Sequence, residues 1–338
     1  MNRKDAVLDA LNGDREDIPP AAVFTQTATV SQMERCGSRW PEANYDPDMM
    51  CELALECSRS FGFSTVRVPF CVSIEAERLG CAVDRGSIGS QPSVISSPYR
   101  MEEGFSDVPE DLMSPAEFVS GGRCTVVSES VHSLAEKHGD DLVVVAGITG
   151  PLTTLTHILG AENLLMGMVL CPERVYGWLD AVTPMIKTYA ETLAHCGADD
   201  IQVTEGSASP DLTPPHDFER FAGGRLRSIF SGIGCKKSLH ICGEAYEILD
   251  GMVSTGADAL SIEKRAGVGH AVERVGGRAV LIGCVDPVGT LLSGTPADVV
   301  TEARACADCG FGIIAPGCGV PPMTPDDNLN ALAHYDGM

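Results

Sequence analysis

The chain has 338 residues, of which 44% are hydrophobic and 21% charged, a composition typical of a globular protein with a large buried core. Its 47 acidic residues outnumber 24 lysines and arginines, and the formal net charge of −23 makes a basic surface for nucleic acid improbable. No stretch approaches the roughly 20 apolar residues of a membrane span, and the charged N-terminal segment lacks the apolar centre of a signal peptide. We therefore expect a cytoplasmic protein that acts without nucleic acid or membrane.

Eight short apolar runs, each followed by a helix-like segment, predict parallel strands joined by helices. In chain order the runs are 21–26, 64–69, 141–150, 199–206, 236–242, 257–263, 278–286 and 311–317. The segments between them are amphipathic, and one of them has Pro296 near its start and Gly310 at its end, as helices often do.

Continuous apolar strands that alternate with helices favour a (β/α)8 TIM barrel formed by a single domain over residues 1–338. A doubly wound open sheet would show the same alternation. The number of strands and the lack of a GxGxxG turn after the first run favour the barrel.

One connection is longer than a barrel requires. After the second run, residues at about 75–110 are rich in glycine, serine and proline. Long connections inside a compact domain are usually functional. We expect this segment to form an excursion, such as a hairpin, over the active-site mouth of the barrel.

The fifth run ends with a histidine and a cysteine two residues apart. His240 and Cys242 would point to the same side of a strand. In a barrel, active sites lie at the carboxyl ends of the strands, and Cys318 follows the eighth run, so the closed ring can bring all three residues to one mouth. The 14 cysteines are otherwise scattered through apolar runs, which favours reduced thiols.

One imidazole and two thiolates suit Zn²⁺, and three protein ligands leave the fourth position open for a substrate. Two thiolates neutralise the charge of the metal, so a bound substrate thiol can lose its proton near neutral pH and remain a nucleophile. The alternative interpretation is a buried histidine with an unrelated cysteine beside it.

Several segments together resemble one known family. They are LHICG (239–243), ALSIE (259–263), LIGCVDPVGTLLSGTP (281–296) and IIAPGCGVPPMTPDDNLNAL (313–332), preceded by DAVLDALNGDREDIPP (5–20) and GITGPLTTLTHILG (147–160). Over nearly the whole chain the sequence is similar to the zinc-dependent methylcobamide:coenzyme M methyltransferases of methanogens, within the uroporphyrinogen decarboxylase superfamily. The His-x-Cys pair with its distant cysteine is the specific part of this likeness.

The resemblance implies a uroporphyrinogen decarboxylase-like barrel whose Zn²⁺ is bound by His240, Cys242 and Cys318. It also implies Glu263 as a fourth ligand until a thiol displaces it, although this carboxylate could instead form a salt bridge with Lys264 or a nearby arginine. The implied reaction moves a methyl group from a methyl-Co(III) corrinoid (a cobamide) on a partner protein to the zinc-activated thiolate of coenzyme M. The loops at 86–98 and 317–322 would suit docking of that methylated corrinoid protein.

Coenzyme M carries a sulfonate, which needs hydrogen-bond donors. Arg67 in the second run, and Ser207 and Ser209 after the fourth, are candidate donors. Arg67 could equally pair with an acidic neighbour inside the barrel. Glu205 is a candidate acceptor that orients His240, or else a solvated loop carboxylate.

Three other functions remain open at this point. The acceptor could be homocysteine or another small thiol, since a carboxylate and a sulfonate make similar demands on donors. A uroporphyrinogen decarboxylase-like reaction would use arginines near the N-terminus, where Arg35 and Arg39 have a suitable spacing, but it has no use for thiol ligands. A zinc-stabilised binding module would need a fourth protein ligand to close the site.

Overall fold

A computed structural model describes residues 3–14, 17–99, 105 and 107–337. Within these ranges, seven parallel strands form one sheet in the order of the chain. They are β1 (Thr65–Val68), β4 (Val143–Thr149), β5 (Asp200–Thr204), β6 (Lys236–Ile241), β7 (Ala259–Ile262), β8 (Val280–Val285) and β9 (Ile313–Pro316). An antiparallel hairpin consists of β2 (Ala82–Asp84) and β3 (Ser93–Ser96).

The first predicted run closes the ring between β9 and β1 without forming a regular strand. On one side Ala22 donates its N–H to the carbonyl oxygen of Ile314 (2.9 Å), and a single bridge joins Ala21 to Ile314. On the other side the N–H of Val23 donates to the side-chain Oγ1 of Thr65 (2.8 Å), so no backbone ladder develops there. The (β/α)8 barrel is confirmed, and the prediction of a regular strand over 21–26 is wrong.

Helices connect the strands and pack around the sheet. They are α1 (Arg3–Leu11), α2 (Val30–Cys36), α3 (Pro47–Phe61), α4 (Ile74–Arg78), α5 (Pro115–Val119), α6 (Arg123–His138), α7 (Pro151–Leu159), α8 (Ala161–Leu170), α9 (Pro172–His195), α10 (Gly224–Phe230), α11 (Leu249–Ser254), α12 (Val268–Val275), α13 (Pro296–Cys309) and α14 (Asp326–Ala333). Short 3-10 helices occupy Glu42–Asn44, Gly206–Ala208, Pro215–Asp217, Ala245–Ile248 and Lys264–Ala266, and π-helical turns occupy Glu219–Gly223 and Pro287–Leu292. None of the described helices combines the length and apolar composition needed to span a bilayer.

Helix α13 shows how residues in the sequence set the two ends of a helix. The hydroxyl of Thr295 accepts from the N–H of Asp298, whose side chain accepts from the N–H of Thr295 in return, and a proline occupies the first turn. Gly310 ends the helix with φ of 107°, a conformation that favours glycine.

Helix α1 closes the amino end of the barrel. Its Val7, Ala10 and Leu11 pack against inward-facing strand residues such as Val145 and Ile282. The barrel is therefore apolar at its base, whereas its upper interior carries polar side chains from β1, β5, β6 and β7. This division leaves the carboxyl ends of the strands as the polar end of the barrel.

The long connection after β1 forms the β2–β3 hairpin, which contacts α7. Ser97 Oγ donates to the carbonyl oxygen of His157 (2.6 Å). The N–H of Tyr99 donates to the carbonyl oxygen of Ile158 (3.3 Å). Residues 100–104 and 106 of the predicted excursion lie outside the described residues. That the excursion covers the barrel mouth stays a prediction.

Candidate metal and substrate site

His240 is held inside the barrel with one ring nitrogen engaged. It is paired in register with Thr204 of β5 and Ser261 of β7. Its Nδ1 lies 3.2 Å from the carbonyl oxygen and 3.1 Å from Oγ of Ser261. Because a carbonyl oxygen can only accept, Nδ1 carries the proton, and the lone pair of Nε2 is free for a metal ion.

Burial lowers the pKa of His240 to about 4, and the positive charge of Arg67 acts in the same direction. The imidazole is therefore neutral at physiological pH. A neutral imidazole is the form that binds a metal ion.

Cys242, Cys318 and Glu263 lie together at the carboxyl ends of β6, β9 and β7. Burial raises the pKa of Cys318 to about 12, and the charges of Cys242 and Glu263 and a hydrogen bond to Glu263 add to this effect. The pKa of Cys242 is raised by burial first and by Glu263 second. A Cβ atom on Gly317 would lie 3.3 Å from Cα of Glu263, so glycine permits the close approach of these two segments.

These residues supply the chemical set that zinc prefers: an imidazole nitrogen, two sulfurs and a carboxylate. Within the described residues, however, no group of three or more His, Cys, Asp or Glu side chains is already arranged to hold a metal ion. Gly317, beside Cys318, approaches Glu263 closely, and the charges of Cys242 and Glu263 both act on the pKa of Cys318, but the donor atoms of the four residues are not gathered around one point. Zinc binding would therefore require one or more of these side chains to rotate.

Glu263 does not form the salt bridge that the sequence left open. Lys264 pairs instead with Glu302 (3.2 Å), and Arg265 pairs with Asp211 (2.8 Å). Among the described side chains, none forms an ion pair with Glu263 within 4.0 Å. Its carboxylate thus remains beside Cys318 and available as a ligand.

Arg67 points into the barrel and is only 4% exposed. One guanidinium nitrogen, Nη1, donates to the carbonyl oxygen of Pro69, while Nε is buried without a partner. Burial lowers the pKa of Arg67 to about 10, so the group still carries its charge at neutral pH. The charge of the buried Glu75 acts on Arg67 and raises its pKa, but among the described side chains none forms an ion pair with Arg67 within 4.0 Å.

The prediction that Glu205 orients His240 is wrong, because this carboxylate caps α7 instead. It is completely buried, not solvated, and it accepts from the N–H of Leu152 (3.1 Å) and from both the N–H (2.6 Å) and Oγ1 (2.5 Å) of Thr153. Burial raises the pKa of Glu205 to about 7. Ser261 orients His240 instead, a role that was not predicted from the sequence.

The two serines that follow β5 have local partners. Ser207 Oγ shares a hydrogen bond with Thr156 Oγ1 (2.7 Å), and Ser209 Oγ accepts from the N–H of Asp211 (3.3 Å). Both serines are buried. A sulfonate would have to compete with these existing bonds.

The arginines that a decarboxylase would need are not arranged as a pair facing a substrate. Arg35 forms ion pairs with Glu56 (2.8 Å) and Asp326. Arg39 is exposed to solvent. The region therefore lacks a free arginine pair for the acidic side chains of a porphyrinogen.

Comparison with known proteins agrees with this geometry. The family model for uroporphyrinogen decarboxylase (URO-D) matches residues 2–335. A methylcobamide:CoM methyltransferase of Methanosarcina barkeri is 33% identical over 330 residues, which cover 97% of this chain and 96% of that protein. One of Methanosarcina acetivorans is 34% identical over 335 residues, with 97% and 96% covered. A solved methyltransferase structure from Methanosarcina mazei has a TM-score of 0.93 at 34% identity and covers 99% of this chain and 98% of its own. The chain therefore belongs to the uroporphyrinogen decarboxylase family.

Proposed function

We propose that this protein is a zinc-dependent methyltransferase that moves a methyl group from a methyl-Co(III) corrinoid to the thiolate of coenzyme M. The observation that carries the proposal is the close approach of the Cys318 loop to Glu263 at the carboxyl ends of the strands, where Cys242 follows β6 and His240 has Nε2 free. A decarboxylase has no use for two thiols at this place. The names of the similar Methanosarcina proteins, which act on methylcobamide and CoM, support the same choice of substrates.

His240 through Nε2, together with Cys242 and Cys318, would hold Zn²⁺, and Glu263 would occupy the fourth position until the acceptor arrives. When bound there, Zn²⁺ would supply the positive charge that lets an acceptor thiol lose its proton near neutral pH. The bond from Nδ1 of His240 to Ser261 fixes the ring for this purpose.

The methyl transfer itself depends more on how the protein positions the acceptor sulfur than on acid or base catalysis. The acceptor sulfur attacks the methyl carbon as the carbon–cobalt bond breaks, and the electron pair of that bond stays on cobalt as Co(I). No proton moves in this step. The buried mouth residues would hold the sulfur in line with the methyl group and exclude water.

Arg67, Ser207 and Ser209 are the proposed donors to the sulfonate of coenzyme M. Arg67 is the strongest candidate because it is charged and its Nε has no partner among the described residues. Glu205 would contribute only indirectly, by holding α7 beside the loop that carries the serines.

The methyl donor would arrive on a separate corrinoid protein in the cytoplasm. The loops at 86–98 and 317–322 remain the proposed docking surface. The hairpin segment of this surface exposes Ile95, whose side chain is 66% accessible. An exposed apolar side chain of this kind suits contact with a partner protein.

The test is the loss of methyl-Co(III) absorbance of free methylcobalamin in the presence of zinc-loaded protein and either coenzyme M or homocysteine. Reaction with coenzyme M that a chelator abolishes would support the proposal. Reaction with homocysteine alone would keep the chemistry and change the acceptor. Failure with both thiols, even when the methylated corrinoid protein is supplied, would refute the proposal.

A further inference from the structure

The upper interior of the barrel contains polar side-chain atoms for which the described residues offer no hydrogen-bond partner. They are Nε of Arg67, both amide atoms of Gln202 and Oγ1 of Thr204. A buried polar atom without a partner is costly, and most such atoms in folded proteins bind something. Their concentration on two strands of one barrel indicates a polar ligand.

Strand register places these groups beside one another. Gly147 of β4 is paired with Gln202 of β5, so both residues face the same side of the sheet. The guanidinium of Arg67 fills the space above Gly147, where a Cβ atom would lie only 2.0 Å from Nη2 and 2.5 Å from Cζ. Gln202 therefore faces the barrel interior on the strand next to the one that the guanidinium covers.

The same register connects this group to the zinc-binding end of the barrel. Thr204 lies two residues beyond Gln202 on the same side of β5, and it is paired with His240 of β6. The unpartnered atoms thus extend from Arg67 toward His240. A short ligand could reach both ends.

The positive charge of Arg67 favours an anionic ligand in this region. Arg67 is buried, and although the charge of Glu75 acts on it, no described carboxylate forms an ion pair with its guanidinium within 4.0 Å. Asp200, the acid on the same strand as Gln202, accepts from Ser238 Oγ at its Oδ2 (2.6 Å), while its Oδ1 has no partner among the described residues. Burial raises the pKa of Asp200 to about 7, which disfavours a negative charge there. A buried charge that lacks a directly bonded counter-charge is unfavourable, so an anionic ligand that bonds to the guanidinium would reduce this penalty.

We propose that Arg67, Gln202 and Thr204 form an anion site for the sulfonate of the thiol acceptor, and that Gln202 determines selectivity for that group. The identity of the ligand rests on the proposed function. Gln202 Nε2, Thr204 Oγ1 and Nε of Arg67 supply the donors, and the single hydroxyl of a neutral thiol such as 2-mercaptoethanol would accept fewer of these bonds than three sulfonate oxygens. Homocysteine would bring a carboxylate that Arg67 can bind, but it would also bring an ammonium group that the guanidinium repels.

The experiment compares two acceptors that share one thiol and differ in their far end: 2-mercaptoethanesulfonate and 2-mercaptoethanol. Methyl transfer from free methylcobalamin is measured with zinc-loaded wild type, Gln202→Leu and Gln202→Glu. Asn44→Leu is the matched control, because both side-chain polar atoms of this buried amide also lack partners, but it lies in the helical turn Glu42–Asn44 outside the barrel.

We expect Gln202→Leu to raise KM for the sulfonate about tenfold or more, since a hydrogen bond to a charged group is lost, and to change KM for 2-mercaptoethanol little. Gln202→Glu should raise KM for the sulfonate further, because the new carboxylate would pair with Arg67 and repel the sulfonate. Asn44→Leu should leave the preference between the two acceptors unchanged. Equal losses with both acceptors, or no change in KM for either, would overturn the proposal.

Binding of ethanesulfonate, which has no thiol, separates this site from the methyl transfer. If the wild type transfers methyl to no thiol, the proposed function fails, and titration with ethanesulfonate then decides whether the anion site exists. Binding by the wild type and Asn44→Leu that is weakened in Gln202→Glu would support the site. No binding by the wild type would refute it.

Discussion

Cys318 provides the most direct test of zinc binding at the scale of a single residue. It is half-buried, and the charges of Cys242 and Glu263 act on its thiol. A three-ligand site cannot lose one thiolate without a large loss of affinity. We expect Cys318→Ala to retain little zinc and to lose about 100-fold or more of the methyl-transfer rate. Elemental analysis and initial rates with methylcobalamin and coenzyme M would measure both effects.

Cys309 offers a control for this substitution. It is exposed at the end of α13, so Cys309→Ala should keep both the zinc content and the rate. One zinc per chain in the Cys318→Ala protein would remove this residue from the metal site.

Asp200 is expected to make stability depend on pH. It is completely buried, and burial raises its pKa from 3.8 to about 7, with the charges of Asp258 and Asp199 adding to the effect. An unfolded chain releases this proton near pH 3.8, whereas the folded protein keeps it up to about pH 7. The unfolding free energy should therefore fall as pH rises through this window, by up to about 1.4 kcal/mol per pH unit.

Asp200→Asn removes this titration and preserves the shape of the side chain. We expect the unfolding free energy of the wild type to fall from pH 5 to pH 8 by about 2 to 3 kcal/mol more than that of the variant, as measured by urea unfolding. The same loss in both proteins would mean that other groups cause the pH dependence.

At the scale of elements, apolar runs were sufficient to predict seven strands but not the form of the first. Val23 donates its N–H to a side-chain atom, Oγ1 of Thr65, and the sequence of the run 21–26 does not predict this bond. The His-x-Cys pair was predictable because alternation along a strand is a local rule. Gln202 and Thr204 follow the same rule, and the alternation of polar residues in DIQVT could have identified them as inward-facing.

The role of Glu205 could not be predicted because it depends on a contact across 52 and 53 residues of chain, with the start of α7. The first N–H groups of a helix need acceptors, but the sequence does not say which distant carboxylate provides them. The position of Glu263 near Cys318 is of the same kind, since it depends on how β7, β8 and β9 are arranged in the sheet.

The cap of α7 is itself a testable element. Glu205→Ala would leave the N–H groups of Leu152 and Thr153 buried without an acceptor, so we expect a loss of about 1 to 3 kcal/mol in unfolding free energy. Glu205→Gln keeps an acceptor oxygen and should lose less. Urea denaturation would measure both changes.

The exposed cap of α5 is the comparison. Glu117 accepts from the N–H of Ser114, and water can replace it there, so Glu117→Ala should have the smaller effect. If Glu205→Ala and Glu117→Ala are equally mild, the buried cap does not stabilise α7 as its geometry indicates.

At the scale of the whole molecule, zinc would join strands that are far apart in the chain, because its ligands follow β6 and β9. An ion that binds only the folded state raises the unfolding free energy by about 4 kcal/mol when its free concentration is 1,000 times its Kd. For a chain of this size we expect removal of zinc by a chelator to lower Tm by about 5 °C. Calorimetry with and without the chelator measures this shift.

The acidic surface supplies the competing explanation for such a shift. A net charge of −23 attracts divalent cations wherever carboxylates cluster, and their release by a chelator could also change Tm. Cys318→Ala keeps every acidic residue and loses only the proposed ligand, so it separates the two causes. The shift should disappear in this variant if zinc acts at the barrel mouth, and it should persist unchanged if the surface charge is responsible.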